Sequence, residues 1–168
     1  MITVTVDNAA ALAALQQINP AQIQSKLRGA VRRTLNDGKQ EARSRIIARY
    51  TARSPLSLGR VRSKVAGLTG TLTFGGKRNQ LKKFSINPRR RLNPAPKGGV
   101  HATVVHGQGG SLVRAFLIKS GAVMEREGRS RLPIKNIKTI ALSGMAKAVS
   151  AQVVNKMNAT LERELATL

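Results

Sequence analysis

Glu125 and Glu127 stand two residues apart, so on a strand both carboxylates fall on one face. Such a pair is the minimum equipment for acid/base work or for holding a metal. Arg126 and Arg129 flank it, and a solvated strand end with ordinary ion pairs is the reading this neighbourhood favours. A metal-dependent nuclease needs several converging carboxylates, and the long basic stretch upstream supplies none. His101 and His106 lie five apart in or beside one strand. An odd separation puts them on opposite faces, which predicts a structural or surface role instead of a shared metal. Gly107-Gln108-Gly109-Gly110 has glycines but neither the spacing of a phosphate-binding loop nor the lysine and serine that should follow. It reads as a turn. Cysteine is absent, which removes disulfides, zinc-thiolate sites and a thiol nucleophile. The chain is therefore expected not to be an enzyme, with no catalytic residues, no cofactor and no metal.

What remains is positive charge. The 168 residues carry 30 lysines and arginines against 7 aspartates and glutamates, a net charge of +23. No acid lies between Glu41 and Glu125, so that stretch cannot neutralise itself with local ion pairs. It must be solvated, or it must face something negative. Its densest part is Lys77, Arg78, Lys82, Lys83, Arg89, Arg90, Arg91 and Lys97. These eight are the candidate contacts for DNA or an acidic protein partner. If all met phosphates of a duplex, the log–log salt slope would be roughly −7. Aromatics make up only 2% of the chain, too few for single-strand binding by stacking. No helix presents an array of base-reading side chains, so the expected contact is with the backbone and is not sequence-specific.

The elements that must position these cations follow from periodicity. Ile2, Val4 and Val6 alternate with Thr3 and Thr5, a half-buried strand. Asp7 is placed to cap a short helix over Asn8 to Gln17. Asn19-Pro20 opens a long amphipathic helix whose stripe runs Ile23, Leu27, Val31, Leu35, Ala42, Ile46, Tyr50, with a possible kink at Asn36-Asp37-Gly38. Ser54-Pro55 is read as starting a second, shorter helix to about Ala66. Gly67 to Gly76 and Leu81 to Ile86 are read as the two strands of a hairpin, turning at Lys77-Arg78-Asn79-Gln80. The proline- and glycine-rich stretch from Asn87 to Gly99 is a loop, expected to be flexible. Strands are expected over Val100 to His106, Leu112 to Lys119 and Gly121 to Arg126, with residues 132–142 extended or irregular. A last helix, capped by Ser143, carries Met145, Val149, Val153, Met157 and Leu161 towards the core. The order predicts an α+β fold: a long N-terminal helix and a C-terminal helix packed on a small, mainly antiparallel sheet with a basic hairpin and loop at about 76–99. One domain over 1–168 is expected. No run is apolar enough to span a membrane. The N-terminus lacks signal-peptide order, so the chain is expected to be cytosolic when made.

Two stretches carry a resemblance. One is Arg49-Tyr50-Thr51-Ala52-Arg53-Ser54-Pro55-Leu56-Ser57-Leu58-Gly59-Arg60-Val61-Arg62. The other is Arg114-Ala115-Phe116-Leu117-Ile118-Lys119, then Val123-Met124-Glu125-Arg126, then Ser130-Arg131-Leu132-Pro133-Ile134. With their order along residues of about 20 to 165, they resemble the minor tail protein Z, or tail-completion, family of tailed bacteriophages. The resemblance implies a structural virion protein at the head-proximal end of the tail, in the neck, assembled in the host bacterial cytoplasm. It implies an oligomeric ring, usually sixfold, in contact with the tail terminator, tail tube or head–tail connector proteins. In lambda-like members it also implies help in placing the DNA end. A free, non-sequence-specific DNA-binding protein is the alternative that the charge alone allows.

Overall fold

The computed structural model describes residues 2–6, 20–52, 54–94, 96–128, 130 and 132–167. The expected helix at Asn8 to Gln17 lies outside the described residues. The chain runs β1 (Ile2–Val6), α1 (Pro20–Arg49), β2 (Arg60–Ala66), β3 (Thr69–Gly75), β4 (Ser85–Asn87), β5 (Val100–Val105), β6 (Gln108–Leu112), β7 (Ala115–Leu117), β8 (Val123–Arg126), β9 (Ile134–Asn136), α2 (Leu142–Lys147) and α3 (Ser150–Ala166). Short 3-10 turns occupy Pro55–Leu58 and Leu81–Lys83. The strands form three antiparallel sheets of order β1-β3-β2, β4-β5-β6 and β7-β8-β9. This is an α+β fold.

Helix α1 has 30 residues, about 45 Å of regular helix. Its stripe buries Leu27, Val31, Leu35, Ala42 and Ile46, the last four in one core with residues of β3 and α3. The helix does not stop at Gly38, because α3 crosses there. A Cβ on Gly38 would sit 2.5 Å from the Sδ of Met157, which is fully buried. Glycine costs about 1 kcal/mol of helix propensity, and the close approach of α3 offsets it. Polar contacts along the same seam tie the two helices: Thr160 Oγ1 donates to Asp37 Oδ2 at 3.2 Å, and Arg33 Nε to Glu164 Oε2 at 2.6 Å.

The short helix expected from Ser54 to Ala66 is instead the 3-10 turn followed by β2. Val61 and Val65 are four apart, a spacing that one helix face and one strand face satisfy equally. Gly59 decides the matter. A Cβ there would collide with the Gly75 carbonyl oxygen and with Leu142. The chain therefore passes close under β3 and pairs with it, Val61 opposite Phe74. A two-residue turn, Gly67-Leu68, with Gly67 at φ +61°, closes this hairpin.

The basic hairpin of residues 67–86 does not form. Both edges of β3 are already taken, by β1 and β2, so 81–86 cannot return along it. Lys77 to Gln80 is an extended crossing, not a turn. Buried Asn79 donates from Nδ2 to the Ile140 carbonyl at 3.1 Å, and its own carbonyl accepts from Thr139 N at 2.7 Å. β4 pairs with β5 instead. The glycines after His106 are also strand, not turn, beyond Gly107 at φ +74°. Gly109 lies beneath His101 and Thr103, where a Cβ would come within 2.7 Å of the imidazole. The expected strand over 112–119 is cut to Ala115–Leu117 by a turn at Val113-Arg114. The last helix is broken into α2 and α3, and its first residue is Leu142, with no side-chain cap from Ser143.

A second, smaller core joins the other two sheets through Leu81, Ile86, Val100, Ala115, Leu117 and Val123. It carries the basic loop. Gly99 ends that loop at φ +71° with its Cα against the backbone of Leu112 and Val113. Gly99→Ala places a methyl group into main chain that cannot yield, in a conformation that alanine rarely adopts. It is expected to destabilise the protein by about 2–4 kcal/mol, read as a lower midpoint in urea unfolding.

Candidate functional site

A groove of 790 Å³ opens between the C-terminal end of α1 and the segment from Leu81 to Arg89. Ile47, Tyr50 and Thr51 form one wall, and Lys82, Lys83 and Arg89 stand on the other. The floor is fixed by hydrogen bonds. Thr51 N donates to the Val104 carbonyl at 3.0 Å, and His106 N donates to the Arg49 carbonyl at 2.9 Å. Thr51 Oγ1 donates to the Thr103 carbonyl and accepts from Ser85 N at 3.0 Å. These bonds stitch the end of α1 to β5 and β4, so the cations project from a rigid frame. The imidazole of His106 donates from Nε2 to the Ile47 carbonyl at 3.2 Å. Lys82 Nζ donates to the Ser120 carbonyl at 3.4 Å. On the far side of His106 a smaller recess of 430 Å³ is lined by Arg45 and Arg49.

A second groove, of 910 Å³, lies on the third sheet. Arg91, Arg114 and Arg126 line it together with Leu92, Phe116 and Leu132. The Arg126 guanidinium sits over the Phe116 ring at 5.5 Å.

All eight predicted cations are exposed, but they do not form one patch. Lys82, Lys83 and Arg89 share the first groove, and Arg91 belongs to the second. The chain bends at residues 88–90, which separates Arg89 from Arg91. Lys77, Arg78, Arg90 and Lys97 line neither groove. Periodicity missed Arg114, Arg126 and His106 as neighbours of these sites. The advance signal for the two arginines was their place at the ends of short apolar segments, Arg114 before Ala115-Phe116-Leu117 and Arg126 at the end of the expected strand Gly121 to Arg126.

The acids are spent elsewhere. Arg163 reaches Asp37 at 3.9 Å, and Arg45 pairs with Glu41 at 2.6 Å on one helix face. Lys135 Nζ lies 3.6 Å from Glu125 and 4.0 Å from Glu127. The strand register explains the Glu125 contact, since Lys135 on β9 stands opposite Glu125 on β8. The neutralising cation is thus across the sheet, not the adjacent arginine. Among the described residues none of the eight cations pairs with a carboxylate, and no acid lines either groove. His101 and His106 have separate partners, Ser111 and Ile47. Among the described residues no group of three His, Asp or Glu converges as a metal site, and no helix is long and apolar enough to cross a membrane. The first groove is equipped to hold an anion by charge and donated hydrogen bonds. Compared with protein-family profiles, curated proteins and solved structures, the chain matches none of them.

Proposed function

We propose that this chain is a structural protein of the head-proximal end of a phage tail, and that the groove of Lys82, Lys83 and Arg89 contacts the DNA backbone there. The observation behind the contact is this trio, held on a hydrogen-bonded frame with no carboxylate among its described neighbours. Phosphates are the ligands such a frame suits, because lysine and arginine meet them through charge and donors without reading sequence. The virion assignment rests on the resemblance carried by residues 49–62 and 114–134. Both segments line the grooves: the first supplies Tyr50 and Thr51, the second Arg114, Phe116 and Arg126. A net charge of +23 per copy disfavours a bare ring through self-repulsion. DNA in the lumen, or an acidic terminator or connector ring, supplies the counter-charge.

Deletion of the gene from an inducible prophage tests this. Tails should still assemble while the yield of infectious particles collapses, and the protein should be found in purified virions at the neck by immunogold labelling. Normal infectivity without the gene sinks the virion reading. The same groove serves a free DNA-binding protein, and that reading is preferred if the protein is absent from virions yet shifts duplex DNA.

A further inference from the structure

Among the described residues five large apolar side chains are exposed, and four of them gather in the second groove. Val113 is 68% exposed, Leu132 67%, Leu92 51% and Ile134 37%. Scattered exposed leucines need no explanation, but a shared, concave apolar surface marks a binding site. The charges around it are of one sign. Arg91, Arg114 and Arg126 line the same groove, without a carboxylate among its described lining residues. The two grooves therefore differ in chemistry: one sets lysines on a hydrogen-bonded floor, the other sets arginines around apolar walls.

We infer that the second groove is a docking site for a partner protein, taking a segment with apolar side chains flanked by carboxylates. Charge complementarity selects this occupant. Apolar walls contribute nothing to a phosphate backbone. Phe116, the one aromatic among the groove's described lining residues, carries the Arg126 guanidinium over its ring, so a stacking nucleobase would have to displace that contact. A second copy of the chain would bring its own +23 to three arginines, a like-charge approach that is costly. An acidic, apolar segment satisfies both parts of the groove, because arginine forks bind carboxylates in bidentate fashion while the apolar side chains lose water. The inference stands on the groove alone and does not depend on the virion reading.

The test uses the full chain and a fluorescein-labelled peptide alternating leucine and glutamate, followed by anisotropy. Control peptides replace leucine by serine, or glutamate by lysine. The leucine–glutamate peptide should bind, and each control should bind about tenfold more weakly. The double variant Val113→Ser, Leu132→Ser changes two exposed positions, and Arg114→Gln removes one charge without touching either. Each should weaken the peptide about tenfold and leave affinity for a DNA duplex unchanged. Equal binding of the serine peptide overturns the inference, because charge alone then suffices. It is also overturned if the double variant loses DNA affinity in parallel. Loss of self-association in the double variant, seen by sedimentation, assigns the groove to a second copy and overturns it as well.

Discussion

Replacing Lys82, Lys83 and Arg89 together by glutamine is expected to weaken binding to mixed-sequence duplex DNA by about two to three orders of magnitude at roughly 0.1 M salt. The slope of log affinity against log salt should flatten by about 3 in the same variant. The size follows from counterion release: each phosphate contact frees about 0.9 of a cation, worth nearly tenfold at that salt concentration. Filter binding or anisotropy across a salt series reads both numbers. The three side chains are exposed and form no ion pair among the described residues, so their loss should alter stability by less than about 0.5 kcal/mol. The companion variant is Lys77→Gln, Arg78→Gln, Lys97→Gln, which removes the same charge from outside the groove. If it weakens DNA binding as much as the groove variant, contact is spread over the surface and the groove has no special part in it.

Part of this arrangement could be read in advance from residue types. The stripe of α1 was legible because thirty residues at helical spacing leave little ambiguity. The acid-free middle was legible because charge is a property of composition. The pairing of strands was not. Val61 and Val65 fit helix and strand alike, and the hairpin of residues 67–86 failed because β1, some sixty residues upstream in the chain, holds the edge it needed. Nothing local to Leu81–Ile86 announces that competition. Likewise Arg89-Arg90-Arg91 reads as one cluster in sequence, yet a bend assigns its first and third members to different grooves. Glu125 and Glu127 both reach one cation, Lys135, which comes from β9, where strand register sets it opposite Glu125. Local periodicity thus identified most elements, and long-range contacts chose their partners.

The largest stability effect is expected where α1 and α3 cross. Met157→Ala should cost about 2–5 kcal/mol, since a fully buried side chain leaves a cavity. Gly38→Ala adds a methyl group 2.5 Å from Met157 Sδ. Its gain of about 1 kcal/mol in helix propensity is opposed by overpacking of about 1–3 kcal/mol. The two changes together should be less damaging than their sum, because the new methyl group enters the space the methionine vacates. A coupling of about 1–2 kcal/mol in a double-mutant cycle is the expected value, measured from urea unfolding of the four proteins. Additivity within about 0.5 kcal/mol would mean that the helices separate slightly and do not interlock at Gly38. The cycle also isolates the frame from the site. Ile47, more than two turns further along α1, and Tyr50, just past its end, wall the first groove and are held by β5 and His106. The double variant, while folded, should therefore bind DNA as the wild type does. Loss of affinity in the folded double variant would show that the seam between the helices, and not only the hydrogen-bonded floor, sets the position of the groove.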